Sequence, residues 1–179
     1  PKKGNQQALE ALQNGMTALC FSNPQDLKTL LQDVLIQHIR IDFENYSKES
    51  IQEFEDLVQE RGLNPEDILG AFHGQENKGN LPNYVYHTVF VDDIYQAIEA
   101  GQLSSQYVFT VGSDYFKEIA KMRAFFIAFE TINKTIPFIL AQTSLSNKES
   151  EQPYNNFLRT TTESMSAIFG GCDALMIRP

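Results

Sequence analysis

The sequence predicts an α/β fold with parallel strands. Short apolar runs alternate along the chain with longer segments whose apolar residues recur every three and four positions. Strands joined through helices pair in parallel by right-handed crossovers, because an antiparallel pair would need only a hairpin. The 179 residues are 42% hydrophobic and 21% charged, enough for one ordinary domain with a real core. We therefore expect a single domain over 1–179.

The elements follow in order. Met16 to Phe21 reads as a buried strand. Asn23 and Pro24 then suit the N-cap and first position of a helix carrying Leu27, Leu30, Leu31, Val34 and Leu35 as one stripe. Ile39, Ile41 and Phe43 alternate with polar residues in a second strand. Ser47 opens a helix with Ile51, Phe54, Leu57 and Val58 on one face, and Gly62 closes it. Asn64 to Asp67 caps a short turn before a third strand, Ile68 to Phe72. The polar stretch 75–83 reads as a loop. Tyr84 to Val91 is aromatic and branched, a fourth strand, followed by a helix from Asp92 to about Ala100.

Tyr107 to Val111 is a fifth strand. The longest helix runs from Asp114 to about Ile132, with Phe116, Ile119, Met122, Phe126 and Phe129 expected inward. Ile136 to Ala141 is a sixth strand, and the polar loop 144–152 leads to a helix from Pro153 to about Phe169. Its Tyr154, Phe157, Leu158, Thr161, Met165 and Ile168 are spaced to face a sheet. Gly170 and Gly171 end it, and Asp173 to Ile177 is a seventh strand. Two architectures fit seven such units: an open doubly wound sheet, or a (β/α)8 TIM-type barrel truncated to about seven βα units.

Charge narrows the function classes. Fourteen Lys and Arg stand against 23 Asp and Glu, for a net charge of -9. A nucleic-acid or anionic-membrane binder draws its affinity from a basic face, so this balance argues against both. The two cysteines, Cys20 and Cys172, sit in apolar runs and read as buried reduced thiols. No apolar stretch is long enough to cross a bilayer, and Pro1 to Gly4 opens no signal peptide. A cytoplasmic chain is the expectation.

The chemistry-bearing residues are sparse. There is no G-x-G-x-x-G, Walker A or G-x-S-x-G motif. His38, His73 and His87 have no cysteine or carboxylate spaced with them as a metal-ligand set. Asp92 and Asp93 read as helix caps. Lys117, Glu118 and Lys121 read as a solvated helix face. Arg159 and Glu163, four apart, suit an intrahelical ion pair.

Two segments nevertheless carry a resemblance. Asp114 to Ala124, DYFKEIAKMRA, resembles the N-x-F-x-E-I-A-K-x-R-A helix of cobalamin-dependent methylmalonyl-CoA mutases. Gln142-Thr143-Ser144, Pro153 to Asn156, Arg159-Thr160-Thr161 and Glu163 to Asp173 resemble that family's H-x-Q-T-S … P-Y-x-N … R-T-T-x-E-x-x-x-A-x-x-G-G-x-D stretch. The close resemblance covers Tyr107 to Ile177 and extends loosely back to Met16. It implies an acyl-CoA-binding (β/α)8 barrel that serves adenosylcobalamin radical chemistry by excluding water and polarising the thioester carbonyl.

The departures are as informative. The histidine that stands two residues before the family's Q-T-S is Leu140 here. The N-terminal substrate-contacting segment, the cobalamin domain with its Asp-x-His-x-x-Gly loop, and an eighth strand are all missing from this reading. Together these losses resemble the small, non-catalytic subunit of heterodimeric mutases. The implied partner is a catalytic mutase subunit; this chain alone binds no cofactor and carries no catalytic residue. Gln142, Arg159 and Glu163 are the weak candidates for residual acyl-CoA contact, with a structural role favoured. The other readings are a diverged acyl-CoA isomerase using His73 or His87, and a stand-alone acyl-CoA-binding module. A missing eighth strand would leave open sheet edges and promote self-association.

Overall fold

The computed structural model describes residues 1–74, 78–101, 105–151 and 153–178. Residues 75–77 of the expected loop, and Gln152 of the next, lie outside them. The chain divides into two compact units, Pro1–Thr88 and Val89–Pro179. Each contributes a four-stranded sheet, and the strands of both follow sequence order.

The first unit contains α1 (Lys2–Gln13), β1 (Ala18–Ser22), α2 (Leu27–Leu30), β2 (Arg40–Glu44), α3 (Lys48–Glu60), a 3-10 turn at Pro65–Asp67, β3 (Leu69–Phe72) and β4 (Tyr84–Val85). The pairs β1–β2, β2–β3 and β3–β4 are parallel. Ile41, Phe43, Phe54, Val58 and Phe72 are fully or almost fully buried in one aromatic-aliphatic core. Phe43 stacks on Phe72, its register partner across β2 and β3, at 5.0 Å.

Ser47 caps α3 as expected, accepting from the Ser50 backbone N–H. α1 was not legible because, of its residues, only Ala8 is buried; Leu9 and Leu12 merely lean on the core. The helix expected to run on to Leu35 stops at Leu30. Asp26, not Asn23, is its cap, accepting from Thr29 N. Two forces end it early. Asp33 takes a left-handed φ of 61°, and the Arg61 guanidinium captures the Leu31 and Val34 carbonyls at 2.8 and 2.9 Å. Leu35 is left exposed.

Gly70 shows how tightly β3 is packed. A Cβ there would lie 1.7 Å from the Ile41 carbonyl oxygen, which the buried Tyr84 hydroxyl holds at 2.6 Å.

The second unit has β5 (His87–Phe90, beginning at the junction), α4 (Ile94–Ala100), β6 (Ser105–Val111), α5 (Tyr115–Asn133), β7 (Phe138–Thr143), α6 (Pro153–Gly170) and β8 (Ala174–Met176). β5, β6, β7 and β8 are neighbours in that order, with β6–β7 and β7–β8 parallel. Its core is built from Tyr107, Phe109, Met122, Phe125, Phe129, Ile139 and Ala141.

Four expectations are corrected here. Among the described residues the strands number eight, because the run expected as one fourth strand is two. Tyr86 breaks it by packing back on Phe72 and giving its hydroxyl to Glu55, and no Gly or Pro marks the break. The premise of a missing eighth strand therefore falls. Cys20 is exposed and Cys172 half-buried, neither in a disulfide; Cys20 is exposed because it lies on the face of β1 opposite Leu19 and Phe21, which pack on the core. α5 buries Glu118, Met122, Phe125 and Phe129 while Phe116 is 80% exposed, so its inner face is rotated from the one expected. α6 is turned over: Glu163, Ser166, Ala167 and Gly170 are buried, and the apolar stripe points outward. Small side chains let α6 approach α5, where a Cβ on Gly170 would meet the Met122 side chain at 2.3 Å.

Candidate functional site

Parallel sheets present their ligand sites at the carboxyl ends of the strands. At that end of the second sheet lie Gln142 and Thr143 of β7, the loop 144–151 and the first turns of α6. Gln142 stands opposite Thr110 in the β6–β7 register, and its Nε2 donates to Thr110 Oγ1 at 2.9 Å. Its Oε1 accepts from Arg178 Nε at 3.1 Å. Thr143 exchanges bonds with the Arg178 backbone, accepting at 2.8 Å and donating at 3.1 Å. The carboxamide is thus fixed between a strand and the residues after β8.

Arg159 and Glu163 do not pair with each other as expected. Both turn to the loop, which meets them at Asn147. Arg159 donates to the Asn147 carbonyl at 2.5 Å and to Glu149 at 2.6 Å. Glu163 has no exposed surface and accepts from Asn147 Nδ2 at 2.6 Å and Lys148 Nζ at 2.7 Å. The Asn147 amide also reaches Ser113 after β6, at 2.7 Å. Ser144 closes the loop base, its N–H donating to the Val111 carbonyl and its hydroxyl meeting Ser146. The loop thereby joins Arg159 and Glu163 into one network, while Gln142 belongs to a second with Thr110 and Arg178.

Asn147, Lys148, Ser113 and Arg178 went unread in the sequence, since isolated polar loop residues carry no spacing signal. The motif's last residue, Asp173, accepts from Ile139 N at 2.7 Å and returns its own N–H to the Ile139 carbonyl. It ties β8 to β7. Lys117, Glu118 and Lys121 are not one solvated face: Glu118 is buried and pairs with Lys121, which also reaches the Thr110 carbonyl. Asp93 does cap its helix, accepting from Tyr95 and Gln96. Leu140 is 2% exposed within β7.

In the first unit the structure supplies the carboxylates the sequence spacing concealed. His73, after β3, has Nε2 at 3.3 Å from Asp42 and Nδ1 at 3.5 Å from Glu44. Arg40 Nε lies 3.0 Å from Asp42. Arg40, Asp42 and Glu44 alternate with Ile41 and Phe43, so one strand sends charge to one face and core to the other. Burial disfavours the imidazolium, but the two carboxylates outweigh it and hold the His73 pKa above its ordinary value.

Among the described residues, no group of three His, Cys, Asp or Glu side chains is arranged for a metal ion. The His73 imidazole does not fit a cobalt ligand, since its side chain is 2% exposed with both nitrogens facing carboxylates. No described helix is long and apolar enough to cross a membrane. A shallow cavity of about 230 Å³ at the end of β1 is lined by Pro1, Phe21, Ser22, Asn23, Pro24 and Leu30.

The family-level comparison falls on the half that holds the loop network. The profile of the methylmalonyl-CoA mutase family matches residues 91–179. The methylmalonyl-CoA mutase of Rhizobium meliloti is 36% identical over 85 residues, 42% of this chain and 12% of that protein. That of Cereibacter sphaeroides is 30% identical over 131 residues, 60% of this chain and 18% of the relative. The mitochondrial methylmalonyl-CoA mutase of Bos taurus is 37% identical over 75 residues, 36% of this chain and 10% of the relative. The matches span less than a fifth of each relative. The profile's range contains the Gln142-Thr143-Ser144 strand end, the Arg159–Glu163 turn and the Gly170–Asp173 stop, and residues 91–179 of this chain belong to the methylmalonyl-CoA mutase family.

Proposed function

We propose that this chain is the small, non-catalytic type of mutase subunit, a (β/α)8-barrel element that supports a catalytic partner in interconverting methylmalonyl-CoA and succinyl-CoA in the cytoplasm. Eight strands among the described residues, in two sequence-ordered sheets, support the barrel reading. The observation that carries the functional reading is Leu140. It occupies the place of the family's carbonyl-polarising histidine, buried within β7 two residues before Gln142. A leucine side chain has no hydrogen to donate to a developing oxyanion, and that donation is what such a site contributes to the rate. The surrounding polar groups do not replace it, because Gln142, Arg159 and Glu163 each spend their hydrogen bonds on this chain's own loop, strand and C-terminal residues.

Capture from the native lysate with the intact chain tests this reading. Recovery of a larger cobalamin-binding mutase chain, with no isomerase activity from the captured subunit after separation, is the expected result. Activity of the separated subunit, or the absence of any mutase chain, overturns it.

A second reading, an acyl-CoA-binding module, has its own support. Lys148, Arg159 and Arg178 gather three cations around the carboxyl end of β7, a composition suited to CoA phosphates. Calorimetric titration with succinyl-CoA separates the two: saturable binding that Arg159→Ala weakens at least tenfold favours the module, and no heat of binding disfavours it.

A further inference from the structure

The outward face of α6 carries no charge. Of its residues only Arg159 and Glu163 are charged, and both turn into the loop network. Left outside are Tyr154, Phe157, Leu158, Met165, Ile168 and Phe169, between 45% and 84% exposed. Single exposed apolar residues are ordinary, but six along one helix are not. They present on the order of 800 Å² of apolar-rich surface, about what one partner brings to a standard interface.

We infer that this face pairs with the same face of a second copy of the chain, the two α6 helices crossing antiparallel about a two-fold axis at Thr161. Three observations select that occupant. First, a chain of net charge -9 repels its copies, so they approach best where neither carries charge. The α6 face meets that condition on both sides by identity, and no unpaired charge is buried.

Second, the stripe is nearly palindromic. An antiparallel two-fold at Thr161 sets Tyr154 against the second copy's Ile168, and Phe157 against its Met165. The small threonine then falls where the two backbones come closest. Third, Thr161 can be covered without an orphaned donor, because its hydroxyl already donates to the Phe157 carbonyl at 2.7 Å; Thr162 does the same to Leu158 at 2.9 Å.

This inference uses only the helix face and stands apart from the Leu140 argument. Sedimentation velocity on the full chain at about 50 µM, above the micromolar range in which standard-sized interfaces associate, should give twice the 20.3 kDa chain mass. Phe157→Glu should weaken the dimer at least tenfold. Because Phe157 is solvent-exposed, the variant should keep its circular dichroism and melting profile, which controls for folding. Thr161→Cys in a Cys20→Ser background should form a disulfide-linked dimer under mild oxidation, and Asn14→Cys should not.

A monomer at that concentration overturns the inference, as does a dimer indifferent to Phe157→Glu or one that Thr161→Cys fails to cross-link. A monomer whose α6 face engages only a different mutase chain overturns it too, while leaving the proposed subunit function intact.

Discussion

Lys148 Nζ lies 2.7 Å from Glu163 Oε2, in a place where the carboxylate has no exposed surface and the lysine side chain only 9%. The pair fastens loop 144–151 to α6 at the family's own motif. Breaking one partner of such a pair strands a buried charge, which costs more than the pair itself contributes. Glu163→Ala should therefore lower unfolding free energy by about 3–5 kcal/mol in urea titration. Glu163→Gln, which keeps an acceptor for Asn147, should lose less.

Gly70 leaves no space for any side chain, since its would-be Cβ overlaps the Ile41 carbonyl. Gly70→Ala should cost upwards of about 3 kcal/mol by forcing β2 and β3 apart, visible as a lost or much lowered thermal transition. Tyr84→Phe removes only the hydroxyl bonded to that carbonyl and should cost about 1 kcal/mol.

His73 gives the first unit a pH dependence of defined sign. Its folded pKa is raised above 6.5, so its contribution is complete below that pH and disappears as pH rises through the folded value. Melting temperature in the parent should fall across that window. In His73→Gln, the part of that fall due to the imidazole should be absent, and a parallel decline in both proteins would refute the assignment.

The rotated face of α5 is open to a direct comparison. Phe129 is 2% exposed and touches Tyr107 and Phe125 at ring distances of 5.0 and 5.5 Å, whereas Phe116 is 80% exposed. Phe129→Ala should cost about 3–5 kcal/mol, and Phe116→Ala less than about 0.5 kcal/mol, by chemical denaturation.

The sequence by itself determined the α/β alternation, the Ser47 and Asp93 caps, the glycine stop after α6 and the family motifs of the second half. Each is written in local spacing: a cap needs only its own next turn, and a buried strand only its own run of apolar residues. Tertiary structure alone decided which face each helix buries. The period of α6 marks an apolar stripe but not whether sheet, solvent or another chain lies against it. Glu163 went inward because Lys148 and Asn147 met it there, from a loop with no periodicity to read. Likewise, Tyr86 split one apparent strand into two because Phe72 and Glu55, far away in sequence, offered its ring and hydroxyl a better place. His73 gained its carboxylates only when parallel pairing brought β3 beside β2. Spacing along the chain records local geometry, whereas a contact between distant residues is chosen by the packing that brings them together.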